Sequence, residues 1–195
     1  MKRGALIGYG LAGSAFHAPL IEATPGLEIA SIVTSNPERA ARAGARYPHA
    51  NVVASVEDVW QQASDLDFVV VATANDSHAS LARRAIEAGL ATVVDKPLAP
   101  TAAEADELIG LAGAAGVLLT VYHQRRWDSD FLTLKRLIEG GELGDVYRFE
   151  SRFERWRPEA PAGSWRFETP RERGGGVLLD LGSHLVDQAL QLFGP

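Results

Sequence analysis

The sequence predicts a doubly wound α/β domain over residues 1–122, followed by the start of an α+β domain over 123–195. Three observations carry this. Short apolar runs alternate with helix-like segments through the first 122 residues. Several runs, such as Phe68-Val69-Val70-Val71-Ala72, are apolar at every position, as in a parallel sheet covered on both faces. After Tyr122 the alternation stops, and aromatic, arginine-rich and glycine-rich stretches take over.

Strands are expected at 4–8, 27–33, 51–53, 68–71, 91–94 and 117–122, with helices at 14–23, 37–47, 56–62, 77–88 and 101–115. The helix starts carry local signals. Asn36 precedes Pro37, a cap followed by proline at the first helical position. Ser55 precedes Glu57 and Asp58, which put negative charge in the first turn. Thr101 with Glu104 reads as a capping box, and Gly89 and Gly116 as terminators. Further on, a helix at 130–139 runs into Gly140-Gly141, and a strand is expected at 146–155 with Tyr147, Phe149 and Phe153. A loop at 156–173, Gly174-Gly175-Gly176 and an amphipathic helix at 177–193 close the chain. One long strand cannot build a sheet of its own, so the second domain reads as incomplete.

Composition excludes several classes. The chain has 195 residues, 46% of them hydrophobic, enough for a real core. Its net charge of −6 argues against a nucleic-acid partner. It has no cysteine, so disulfides, thiolate metal sites and a cysteine nucleophile are out. No apolar run approaches the roughly 20 residues of a membrane span. Lys2-Arg3 followed by the small and apolar residues 5–15 mimics a signal peptide, but cleavage there would remove the first strand and the glycine turn. A cytoplasmic location is expected.

The first run leads directly into Gly8-Tyr9-Gly10-Leu11-Ala12-Gly13, with a helix behind it. In a dinucleotide-binding βαβ unit the first glycine makes the tight turn, the second lets the backbone approach a pyrophosphate, and the third packs helix on strand. The helix N-terminus behind it then offers backbone N–H groups to phosphate, with Leu11, Ala12 and Gly13 of the turn among the cofactor residues. Asp95-Lys96-Pro97 closes the fifth strand, at the carboxyl edge where open α/β sheets bind ligands. An ammonium there can favour a developing alkoxide, although position alone fits a solvated lysine beside a proline turn equally well. On the terminal helix Asp180, His184 and Asp187 share a face, opposite Leu178, Leu181, Leu185, Ala189 and Leu192. Histidine is the residue best suited to move a proton near neutral pH. An Asp/His pair at this spacing would also suit a metal, but a lysine electrophile needs none, so no metal is expected.

At this point the chain resembles the Gfo/Idh/MocA-type NAD(P)-dependent oxidoreductases, which include inositol and other sugar dehydrogenases. The resemblance rests on GYGLAG with FHAPLI (16–21), ATANDSH (72–78), VDKPL (94–98), YHQRRWD (122–128) and GGGVLLDLGSHLVDQ (174–188), in the family's order. It implies a Rossmann domain and a substrate domain. Lys96, within Asp95-Lys96-Pro97, would adjoin nicotinamide and substrate. His184 would accept the hydroxyl proton of a sugar or polyol while its C–H gives up hydride, with Asp180 holding the imidazole. Gln124, Arg125 and Asp187 fall where the family contacts substrate hydroxyls. Thr73, Asn75 and His78 match the loop beside the cofactor's ribose and nicotinamide, and Trp165-Arg166 resembles an element that reaches the cofactor in some members.

The second strand exits through Thr34-Ser35-Asn36-Pro37, without the carboxylate that holds an NAD ribose, and Arg39 and Arg42 follow. Glu28 opens that strand instead of closing it. NADP is therefore favoured, with NAD possible, and Ser35 joins the cofactor residues. Family members are longer, so this chain is expected to be a fragment, with exposed apolar surface on 146–153 and on the terminal helix. A full-length member is expected to be a homo-oligomer. The rival reading is a dinucleotide-binding module, or a truncated homologue without turnover.

Overall fold

The computed structural model describes residues 1–156, 158–159 and 163–195, and they form two compact units, Met1–Tyr122 and His123–Pro195. The first holds six parallel strands: β1 (Lys2–Ile7), β2 (Leu27–Val33), β3 (Asn51–Val53), β4 (Phe68–Val71), β5 (Ala91–Asp95) and β6 (Leu119–Tyr122). Their order is β3-β2-β1-β4-β5-β6, every neighbouring pair parallel. This is the predicted doubly wound sheet, with expected and observed strands differing by two residues at most.

Alternation along each strand sorts the core into two layers. Val69, Val71 and Val94 pack with Ala82, Ala85 and Ile86 of α4 (His78–Glu87) and with Leu108 and Ala112 of α5 (Ala102–Ala115). Leu6, Ile29, Ile32 and Val70 face the other way, onto Ala18 and Ile21 of α1 (Ala18–Ala23) and Ala43 of α2 (Pro37–Arg46). The remaining helix of this unit, α3 (Glu57–Trp60), buries Val59. The capping signals operate as read. Asn36 accepts the Arg39 N–H at 2.9 Å, and Thr101 accepts the Glu104 N–H at 3.2 Å.

The first helix begins irregularly, which its sequence does not announce. Residues 13–17 form a π turn, Gly13–His17, before α1 begins. The extra residue in that turn shifts the phase of the helix, and His17 ends up buried.

The second unit contains α6 (Ser129–Glu139), α7 (Trp165–Glu168) and α8 (Ser183–Phe193), the last preceded by a π turn at Leu178–Gly182. The expected strand at 146–155 is corrected here: no strand is assigned among the described residues of this unit. A strand needs an edge to pair with, and none is present among them, so the backbone groups of this segment have no ladder to join. Its aromatics pack individually instead, Phe149 against Phe193 at 5.3 Å and Phe153 beneath the Arg125 guanidinium at 4.6 Å. Part of the loop expected at 156–173 lies outside the described residues. The apolar surface expected on 146–153 and on the last helix is exposed at Tyr147, Val186 and Leu190.

The glycine turn gives the first testable outcome. Gly8 has φ +102°, and a Cβ there would collide with the Ala72 carbonyl oxygen. Gly8→Ala should destabilise the chain by about 1–3 kcal/mol, read from urea unfolding, because neither backbone can yield.

Candidate active site

The first half of the site lies where the sheet order reverses, between β1 and β4. Gly8 comes directly after β1, and its close approach to the Ala72 carbonyl brings the ends of the two strands together. A Cβ on Gly13 would strike the Gly8 carbonyl oxygen, so the helix is drawn tightly onto the strand end. Gly10 differs. A Cβ there would meet only Arg39 Nη1, at 3.9 Å, which is ordinary contact. The protein leaves room above Gly10 that it does not itself fill. The helical run at 11–23 starts beside it, with the Ser14 N–H donating to the Gly10 carbonyl at 2.9 Å. The N–H groups of Leu11, Ala12 and Gly13 precede that bond and lie at the helix's positive end. This cradle fits a pyrophosphate.

Around the cradle stand the other residues expected to meet a cofactor. Ser35 is exposed after β2 and Thr34 is buried. Glu28 pairs with Arg3 at 3.3 Å, at the strand end opposite the glycine turn. Thr73 lies just beyond β4, and its hydroxyl is 2.7 Å from that of Ser77, while Asn75 is buried. His78 is only 1% exposed. Its Nδ1 lies 2.7 Å from the Pro97 carbonyl and its Nε2 3.3 Å from that of Thr73. In this arrangement His78 ties β4's loop to the Asp95-Lys96-Pro97 corner.

That corner is held from a second side. Asp95 Oδ1 accepts the Lys96 backbone N–H at 2.9 Å, and Asp95 Oδ2 lies 4.0 Å from His17 Nε2. The His17 ring packs on Tyr122, centroids 4.4 Å apart. Lys96 is buried and joined to Pro97 by a cis peptide bond. A buried lysine at a strand's carboxyl end, gripped through both neighbouring residues, is no solvated turn residue. Sequence reading missed His17. FHAPLI contained it, but only the π turn directs it inward.

The second unit carries the groups expected to handle the proton. Asp180 and His184 are buried, while Leu178, Val186 and Leu190 are exposed. The polar stripe is thus the covered side of this helix, the reverse of an ordinary amphipathic surface helix. Arg166 of α7 donates through Nε to Asp180 Oδ2 at 2.6 Å, and its guanidinium lies 4.7 Å over Trp165. Asp187 accepts two hydrogen bonds from Arg126, at 2.5 and 2.8 Å, with His123 Nδ1 3.7 Å away. Burial alone would push the Asp187 carboxyl up. The Arg126 hydrogen bonds and the charges of His123, Arg126 and His184 outweigh this and hold it below the usual carboxylate range. Gln124 and Arg125 share a 3₁₀ turn, Gln124–Trp127. Arg125 donates to Asp128 at 2.9 Å, while Gln124 Oε1 and Arg125 Nε are buried without a hydrogen-bond partner. Such atoms are candidates for a hydroxyl-rich ligand. Arg126 and His123 were both missed, because periodicity does not say which arginine of Arg125-Arg126 reaches Asp187.

Comparison with known proteins decides the family. The model for the oxidoreductase family with an NAD-binding Rossmann fold, Gfo/Idh/MocA, matches residues 2–123. The chain belongs to the Gfo/Idh/MocA oxidoreductase family. The model of the Gfo/Idh/MocA C-terminal domain matches residues 131–195. Similar chains include the uncharacterized oxidoreductase YdgJ of Escherichia coli, 46% identical over 97% of this chain and 53% of that protein. The scyllo-inositol 2-dehydrogenase (NADP(+)) IolW of Bacillus subtilis is 40% identical over 97% of this chain and 51% of that protein. Among solved structures, an NAD-binding protein from Listeria innocua superposes with a TM-score of 0.85 at 34% identity, covering 98% of this chain and 54% of that one. The Gfo/Idh/MocA chain here spans about half the length of the curated relatives it matches. Among the described residues, no helix is long and apolar enough to cross a membrane. Nor, among them, is any group of three or more His, Asp or Glu side chains placed to hold a metal ion.

Two outcomes are expected from this geometry. Gly10→Ala should leave unfolding within about 0.5 kcal/mol of the parent, since its φ is unexceptional and its surroundings are open. It should weaken dinucleotide binding about tenfold or more by calorimetry, a split that Gly8→Ala cannot produce. The second concerns His17, whose pKa burial pushes below the ordinary 6.5, Asp95 opposing and His78 reinforcing. The unfolded chain then takes up the proton first. Stability should be full above pH 6.5 and fall as pH drops below it toward the lowered value. His17→Gln should flatten that part of the stability–pH curve.

Proposed function

We propose that the protein transfers hydride between a nicotinamide dinucleotide, NADP in preference to NAD, and a small polyhydroxylated substrate such as a sugar or inositol. The observation that carries this reading is the pairing of a glycine cradle, open above Gly10, with a buried lysine on the same carboxyl edge of one sheet. A bound nicotinamide supplies the hydride acceptor. The chain's own residues do the rest. The backbone at Gly8, Gly10, Leu11, Ala12 and Gly13 holds the pyrophosphate. Lys96 stabilises negative charge on the reacting oxygen, and His184 takes the hydroxyl proton. Asp180, steadied by Arg166, orients the imidazole. Gln124 and Arg125 present a buried acceptor and donor to substrate hydroxyls. The relative IolW, named an inositol dehydrogenase, supports the substrate class.

The cofactor preference rests on the exit of β2. No carboxylate stands at Thr34-Ser35-Asn36, Glu28 is paired at the far end, and the Arg39 guanidinium lies near Gly10, where a 2′-phosphate would lie close to it. NADP should bind about tenfold or more tightly than NAD at fixed salt, and Arg39→Gln should close most of that gap. Turnover is tested by monitoring nicotinamide absorbance with a panel of inositols and sugars. Activity that falls by about 100-fold or more in Lys96→Ala and in His184→Ala supports the reading. Unchanged turnover in both removes it. NADP binding with no absorbance change for any polyol favours a dinucleotide-binding module instead.

A further inference from the structure

Asp187 was expected to meet substrate hydroxyls, and each of its oxygens already accepts a hydrogen bond from an arginine. Arg126 Nε donates to Oδ2 at 2.8 Å and Nη2 to Oδ1 at 2.5 Å, a bidentate fork onto a carboxylate only 12% exposed. His123 Nδ1 stands 3.7 Å from Oδ2. The pair is charge-assisted, among the strongest hydrogen-bonded contacts a side chain makes, and it engages most of the charge of Asp187.

His184 lies three residues before Asp187 on α8, on the same face. Its ring stands edge-on to that of His123, centroids 6.2 Å apart. Among the described residues of this unit, the charged and titratable groups around His184 include Asp180 with Arg166 before it, and Asp187 with His123 and Arg126 after it. Each carboxylate is matched by its own arginine. An unmatched Asp187 would favour the imidazolium and leave His184 protonated near neutral pH, unable to accept a proton. A matched one imposes little net field. Arg125 cannot serve in this way, since it pairs with Asp128 and lies over Phe153.

We propose that Arg126 is a positioning residue for His184: by gripping both oxygens of Asp187 it offsets that carboxylate's charge and sets the field in which His184 gains and loses its proton. The significance of this rests on His184 as the proton acceptor of the proposed function. The field itself does not. An arginine that neutralises, rather than a carboxylate that binds hydroxyls, is the role the family resemblance did not assign.

Histidine-ring NMR titration of the intact chain tests this, with the His184 signal assigned by its loss in His184→Gln. Arg126→Gln should raise the His184 pKa by about half a unit or more, and Asp187→Asn should lower it by a similar amount. The double variant Arg126→Gln/Asp187→Asn should return to within about 0.2 of the parent, and Arg126→Lys, which keeps the charge, should stay there. A purely structural role would move both single variants in the same direction. Shifts of one sign, or none beyond about 0.2 in folded variants, overturn the proposal. If Arg126→Gln does not fold, a lowered His184 pKa in Asp187→Asn with Arg126→Lys within about 0.2 of the parent supports the proposal, and an unchanged or raised value in Asp187→Asn overturns it. The titration needs neither cofactor nor turnover. A chain that shifts as described but oxidises no polyol keeps this inference and loses the redox reading.

Discussion

The contact on which the candidate site depends is made by backbone alone: the Gly8 turn lies against the Ala72 carbonyl, and Gly13 lies against the carbonyl of Gly8. Three chain segments meet there without a side chain between them. That closeness puts the start of the first helix directly over the gap between β1 and β4, and N–H groups that would otherwise point into water converge on one spot. Gly10 completes the arrangement by leaving space that no protein atom takes.

The Asp95-Lys96-Pro97 corner is built on the same edge and by a similar logic of restraint. A lysine held only by its own turn would sample many rotamers, and its charge would be a poor electrostatic partner for a reacting oxygen. Here the backbone before it is fastened by Asp95 and the residue after it by His78, with His17 and Tyr122 packed beneath. Buried polar groups of this kind cost stability unless matched, which is why such arrangements mark places where chemistry is prepared. The second unit repeats the pattern with ions: buried Asp180 and half-buried Asp187 each have an arginine partner.

Much of the fold was legible because it obeys local rules. All-apolar strands, an Asn36-Pro37 cap and the Thr101/Glu104 box need only a few neighbouring residues, and they fell where expected. The glycine turn was legible because backbone contacts as close as those of Gly8 and Gly13 admit no side chain. The failures share a cause. The strand expected at 146–155 needs partners that no local pattern can supply. The π turns at 13–17 and 178–182 change helical phase by one residue, so His17 turned inward unannounced. Arg126 and His123 acquire meaning only through Asp187, some sixty residues away in sequence. Propensity reads neighbours, whereas functional networks join distant segments.

The central claim is that the glycine cradle and the lysine corner form one cofactor surface. Backbone amide NMR of the whole chain, titrated with NADPH, tests it most directly. The account predicts that perturbations concentrate on Gly8 to Gly13, on Ala72 to Asn75 and on Asp95 to Lys96, with the Gly10 and Leu11 amides moving furthest. A spectrum unchanged at saturating NADPH, or one perturbed only away from the carboxyl edge of the sheet, would contradict it.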